Sequence, residues 1–143
     1  LQAARNFIFS TASPPAVEHA LLTSFALIEG PLGAQRRANL VARQAQLRDG
    51  LLALIARHPH LGWQLTDAAT PIQPLIVGGN AEVMALAAAL ETAGLRVPGI
   101  RPPTVAAGTA RLRITLCGTH TAADVDALLA ALERAAAAQE QVA

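Results

Sequence analysis

The chain has 143 residues and a formal net charge of +1, and its eleven basic residues are all arginine and dispersed, which excludes the concentrated basic footprint of a nucleic-acid binder. A single cysteine, Cys117, excludes an internal disulfide and a cysteine-rich zinc site, and no run approaches the ~20 apolar residues that span a bilayer. The length suits one domain burying about two thirds of its unfolded surface, and with no leader pattern at its start a cytoplasmic location is the default expectation.

In chain order, Leu1 to Ala12 is an incoming segment with Phe7, Ile8 and Phe9 apolar, and Ser10, Thr11 and Ser13 stand before Pro14 as capping candidates. Ala16 to Glu29 places Leu21, Phe25 and Ile28 at helical spacing, and Gly30-Pro31 stops it. A longer helix over 34–57 follows, with Leu40, Leu47, Leu51, Leu54 and Ile55 on one stripe and arginines 36, 37, 43 and 48 on faces expected to be solvated. Gly50 is a weak point in it, costing about 1 kcal/mol against alanine. His58-Pro59-His60 is read as a helix terminus, because two histidines two apart across a proline have no third ligand nearby; no metal is expected.

Gly62 to Thr66 predicts a short edge strand, and Ile72 to Val77 a second strand in which Pro74 requires an edge or bulge. Gly78-Gly79-Asn80 turns into a helix over 81–93, with Asn80 as the expected N-cap and Gly94 as the stop. The glycine pair lacks a phosphate-loop pattern. Leu95 to Ile100 and Ala110 to Leu116 complete the strands. In the last of these Leu112, Ile114 and Leu116 alternate with Arg111, Arg113 and Thr115. The final helix starts near Thr121 with Asp124 and Asp126 at its positive end, carries Leu128, Leu129 and Leu132 inward, and is expected to fray at Ala135–Ala138. Cys117 is expected as a buried filler and His120 as a first-turn residue. The order helix, helix, strand, strand, helix, strand, strand, helix predicts an α+β fold: a small, mostly antiparallel sheet covered by helices.

The densest chemistry lies between the last two strands, in I-R-P-P-T-V-A-A-G-T-A-R-L-R-I-T-L from Ile100. Pro102 holds Arg101 extended and two prolines stiffen the turn, so a guanidinium and the Thr104 hydroxyl are presented at little entropic cost. An arginine fork matches two carboxylate oxygens, and a hydroxyl or N–H completes the shell. A solvated loop arginine in a plain crossover is the alternative.

This stretch with His120-Thr121, together with Phe9-Ser10-Thr11-Ala12 before Pro14-Pro15 and Thr70-Pro71-Ile72-Gln73-Pro74-Leu75-Ile76-Val77-Gly78, resembles the C-terminal part of the pyridoxal-phosphate-dependent α-oxoamine synthases. Ile100-Arg101-Pro102-Pro103, in place of a tyrosine-proline opening, is most similar to their 8-amino-7-oxononanoate synthase branch. The resemblance implies the small C-terminal domain of a fold-type I pyridoxal-phosphate transferase, with residues 1–33 an incoming segment and linking helix and residues 34–143 the small domain. It implies biotin biosynthesis by decarboxylating condensation of L-alanine with pimeloyl-CoA or a pimeloyl-carrier protein, in a homodimer. It assigns the amino-acid carboxylate to Arg101, the acyl-substrate pocket to Thr104 and the cofactor phosphate, across the dimer interface, to Thr11. Ala106 departs from the proline usual after Thr-Val, so the loop is expected to be looser. The family holds pyridoxal 5'-phosphate through a lysine, and this chain has none. The expectation is therefore a C-terminal portion, inactive alone, whose N-terminal cofactor-binding portion lies upstream. A sister synthase using glycine, or a stand-alone carboxylate-binding α+β module, remains open.

Overall fold

Glycine and proline cut the chain into segments of one element each, and the computed structural model, which describes residues 13–140, has its elements in the order the periodicities predict. The chain divides into two compact units, one ending at Arg36 and the other beginning at Arg37.

In the first unit, helix α1 (Pro15–Glu29) has Pro14 at its N-cap and no side-chain cap, so Ser13 does not serve. Proline pre-sets the first-turn φ and needs no donor there, which lets the helix begin without one. Thr23 and Ser24 donate their hydroxyls to the carbonyls of His19 and Ala20, at 3.0 and 2.9 Å. No residue of α1 is buried. Gly30 closes the helix by donating its N–H to the Ala26 carbonyl at 2.9 Å. A Cβ on Gly33 would collide with the Ile28 carbonyl, so the start of helix α2 (Pro31–Arg57) depends on a bare glycine.

In the second unit, α2 is followed by one 3₁₀ turn (Pro59–Leu61), strands β1 (Gln64–Leu65) and β2 (Ile72–Gly78), helix α3 (Asn80–Thr92), strands β3 (Gly99–Ile100) and β4 (Ala110–Thr115), and helix α4 (Ala122–Glu140). The sheet order is β1-β2-β4-β3 with every pairing antiparallel. Period-two alternation sorts the faces: Ala110, Leu112 and Ile114 are buried with Gln73 and Leu75, whereas Ile72, Arg113 and Thr115 are exposed. Pro74 is tolerated on an inner strand because β1 pairs only with Leu75 and Ile76, leaving no β1 partner at its level. Core leucines 47, 51 and 54 of α2, Val83, Leu86 and Leu90 of α3, and Val125, Leu128 and Leu132 of α4 complete one cluster with Trp63.

Helices α2 and α4 run side by side in one direction. Gln46 bonds Asp126 at 2.7 Å, Leu129 packs onto Gly50, and Arg57 reaches Glu133. The Gly50 weak point thus has a packing reason: a Cβ there would sit 2.3 Å from a Leu129 methyl. Asn39 ties α2 to the segment before α4 by donating to the carbonyls of Gly118 and His120, both at 2.9 Å.

Several local expectations are corrected. The strand expected over 95–100 shrinks to Gly99–Ile100, since Pro98 lacks an N–H and contributes only its carbonyl, to Arg113 at 3.0 Å. Gly79, not Asn80, is the α3 N-cap, and the Glu82 carboxylate folds back over it. Cys117 is exposed rather than buried, its Sγ 3.0 Å from the Thr119 hydroxyl. The alanine run does not fray: α4 continues to Glu140 and Ala136 is fully buried. Arg48 is not simply solvated, because it binds Asp67 and the Thr66 carbonyl, and the Nε of Arg43 is buried. Gly94 does stop α3, at φ +80°, with the Leu95 N–H returning to the Leu90 carbonyl at 2.9 Å.

Candidate functional site

Strand β3 ends at Ile100, opposite Arg111, and Arg101 is the first residue released from the sheet. The Pro102-Pro103 peptide is cis, and the Thr104 N–H closes a tight turn on the Arg101 carbonyl at 3.1 Å. The loop is then pinned a second time. Both the N–H and the hydroxyl of Thr109 donate to the Ala106 carbonyl, at 3.2 and 2.8 Å, around Gly108 at φ +76°. Arg111 Nε holds the Thr109 carbonyl at 2.9 Å, which fixes the return into β4. These two internal turns close the loop on its own backbone.

Arg101 and Thr104 are both exposed on this loop. Among the described residues, no carboxylate pairs with the Arg101 guanidinium and no side-chain hydrogen bond engages the Thr104 hydroxyl. The turn thus sets Arg101 and Thr104 three residues apart on one exposed loop. Such an arrangement can bind a carboxylate bidentately and orient it. Thr11, the third sequence-predicted position, lies outside the described residues.

The other polar clusters are occupied with structure. His58 is nearly buried, with Nε2 2.8 Å from Glu133 Oε1, and Arg57 binds the second carboxylate oxygen at 2.5 Å. The hydrogen bonds from Arg57 and then His58 hold the Glu133 carboxyl below its usual range. At the α4 start, Thr121 and Asp124 form a reciprocal cap: the Thr121 N–H and hydroxyl donate to Asp124 at 2.7 and 2.8 Å, and the Asp124 N–H returns to the Thr121 hydroxyl at 3.2 Å. The Thr121 backbone bond, then its hydroxyl, pulls the Asp124 pKa down. A cleft of about 330 Å³ lies beside this cap, at the far end of β4 from the Arg101 loop, lined by Arg96, Thr115, His120 and Asp124 over an apolar floor. His120 there accepts the Cys117 N–H on Nδ1 at 3.2 Å, so His120 and Asp124 shape the entry into α4. Among the described residues no cluster of three or more metal-ligating side chains occurs, and no helix is long and apolar enough to cross a membrane.

One functional-motif residue escaped the sequence reading. Gln73 is fully buried, donates Nε2 to the Ala68 and Thr70 carbonyls at 2.9 and 2.7 Å, and so closes the loop before β2. The signal was available: it is a polar residue at a core-face position of an alternating strand.

The profile of the aminotransferase class I and II family matches residues 1–132, and the chain belongs to that family. Within it, the chain is 60% identical over 95% of its length to 8-amino-7-oxononanoate synthase 2 of a Polaromonas species, covering 34% of that protein. It is similar in structure to Sphingomonas wittichii serine palmitoyltransferase at 32% identity and TM-score 0.73, covering 91% of this chain and 31% of the other. A structure of SPT with a PLP internal aldimine superposes at TM-score 0.78 and 28% identity, over 96% of this chain and 33% of that one. The expected fold class, a small antiparallel sheet with helices as found in fold-type I transferases, is thereby borne out. The chain spans about a third of the length of the curated relatives it matches.

The residues of this chain do not by themselves fit pyridoxal phosphate. No lysine is present to hold its aldehyde carbon. The glycine turn at the α3 N-terminus, where a phosphate could otherwise rest, already has the Glu82 carboxylate over it.

Proposed function

We propose that this chain is the C-terminal portion of an 8-amino-7-oxononanoate synthase and supplies its amino-acid carboxylate site. The reading is carried by one observation: a guanidinium that pairs with no carboxylate among the described residues, on a loop that its own backbone bonds hold in place. The 60% identity to a protein of that name supports it. In the complete enzyme, L-alanine condenses with a pimeloyl thioester, of CoA or of a carrier protein, and carbon dioxide and the thiol leave. A lysine upstream would hold pyridoxal phosphate, whose chemistry would be that of an electron sink for the alanine α-carbon.

Arg101 grips the carboxylate in two parallel N–H···O bonds and fixes the rotation of the Cα–carboxylate bond. Thr104 lines the acyl path beside it. Thr11 is assigned to the cofactor phosphate of the partner subunit in a homodimer, and residues 1–33 to the incoming segment and linking helix before the small domain at 34–143. The 143-residue chain alone is inactive, and the enzyme works in the cytoplasm.

The test is mass-spectrometric detection of product from the complete polypeptide supplied with pyridoxal phosphate, pimeloyl-CoA and either L-alanine or glycine. Product from alanine is expected. Product from glycine alone would assign the chain to a sister synthase. A second reading, a carboxylate-binding module without chemistry, is favoured by the missing lysine. It would be adopted if the complete reading frame encoded no lysine-bearing portion and neither substrate reacted.

A further inference from the structure

The cleft of about 330 Å³ between the end of α3 and the start of α4 lies wholly within the second unit and takes no part in the Arg101 loop. Its floor is aliphatic: Leu95 and Val97 follow α3, Ile114 and Leu116 come from β4 and the residue just past it, and Val125 and Leu128 from α4. Ile114, Leu116, Val125 and Leu128 are buried members of the core, so packing fixes the floor. An apolar surface with a few placed polar groups is the usual make-up of a small-molecule pocket, and the volume is at the small end of that class.

Two opposite charges line this cleft without meeting. Arg96 makes no ion pair and no side-chain hydrogen bond among the described residues, although Asp124 lines the same cleft. Glu91, in the neighbouring cleft that Arg96 also borders, does not pair with it either. Asp124 is held by Thr121, whose N–H and hydroxyl both donate to Oδ2, and Oδ1 has no partner among the described residues. The same bonds pull its pKa down, so it is charged at neutral pH. His120 adds a donor. Its Nδ1 accepts the Cys117 N–H, so the proton of the neutral ring sits on Nε2, which meets no partner among the described residues. A plain carboxylic acid in this cleft would bring a like charge to Asp124, and a plain amine would bring one to Arg96.

We propose that the cleft binds a free aliphatic α-amino acid, with its carboxylate on Arg96 and His120 Nε2, its ammonium on Asp124 Oδ1 and its side chain on the aliphatic floor. The site lies at the other end of β4 from the Arg101 loop and stands independently of the synthase reading.

Equilibrium dialysis of radiolabelled L-leucine against the complete polypeptide tests this. A dissociation constant of about 1 mM or tighter is expected, in the unaltered protein and in Arg101→Ala alike. Arg96→Gln, at an exposed position, should weaken binding about 10-fold or more with the melting temperature unmoved, and Asp124→Asn should weaken it similarly. Isocaproate and leucinamide, each lacking one of the two charges, should compete about 10-fold or more weakly than unlabelled leucine. No binding at about 10 mM leucine, or equal affinity in Arg96→Gln, would overturn the proposal. Equal competition by isocaproate would overturn it in favour of a simple carboxylate site. Binding lost in Arg101→Ala and kept in Arg96→Gln would place the leucine on the Arg101 loop and overturn it as well.

Discussion

Two arginines of this small domain show how a charge is committed. Arg57, where α2 ends, shares the Glu133 carboxylate with His58 and so ties two helices together. Arg101, where β3 ends, meets no carboxylate among the described residues although its loop is tied down by several backbone bonds. The first cluster spends its electrostatics on the fold. The second fixes the backbone and, among the described residues, leaves the charge without a carboxylate. On the proposed reading, it is the second kind of arrangement that would serve as a site.

Stability changes should sort the same way. Trp63, the chain's single tryptophan and nearly buried, reports urea unfolding of the domain directly. The largest loss is expected for Gly50→Val, which drives a branched side chain into Leu129 and should cost about 1–3 kcal/mol or more, seen as a lower urea midpoint. Glu133→Ala should follow, at about 1–3 kcal/mol, because it leaves the nearly buried His58 ring without its carboxylate. Thr121→Ala removes the reciprocal cap of α4 and should cost about 1 kcal/mol. A stability change in Arg101→Ala as large as any of these would erase the contrast between the two clusters.

The pH dependence sharpens the contrast further. Glu133 and Asp124 both have carboxyl pKa values lowered in the folded state, by Arg57 and His58 in one case and by Thr121 in the other. A lowered folded-state pKa contributes stability that is present above the unfolded-state value and is lost as pH falls through the folded one. The urea midpoint should therefore hold near neutrality and drop as the solution passes below the ordinary carboxylate range. The drop should be shallower in Glu133→Gln. An equally steep acid limb in that variant would separate Glu133 from the acid sensitivity.

Element order and the site loop were legible in the sequence because they depend on local signals: apolar period, the stops at Gly30 and Gly94, and the proline pair after Arg101. Contacts far apart in sequence were not. Gly50 looked like a flaw until Leu129, from α4, came to lie on it. Arg48 looked solvated because Asp67 lies beyond the helix end. The alanine run looked frayed because alanine's weak apolar signal says nothing of a core that packs against Ala136. Cys117 was misread for the opposite reason: its hydrophobic character suggested burial, but it follows the last strand in an exposed turn. In the loop, the types of Arg101 and Thr104 were readable, whereas their lack of side-chain partners among the described residues required the fold.

The most direct measurement compares Arg101→Ala with the unaltered complete enzyme, following kcat/KM for L-alanine alongside the melting temperature. The expected result is a loss of about 2–4 kcal/mol in transition-state binding, roughly 30- to 1000-fold in kcat/KM, with the melting temperature unmoved. Unchanged alanine kinetics would contradict the assignment of the substrate carboxylate to Arg101.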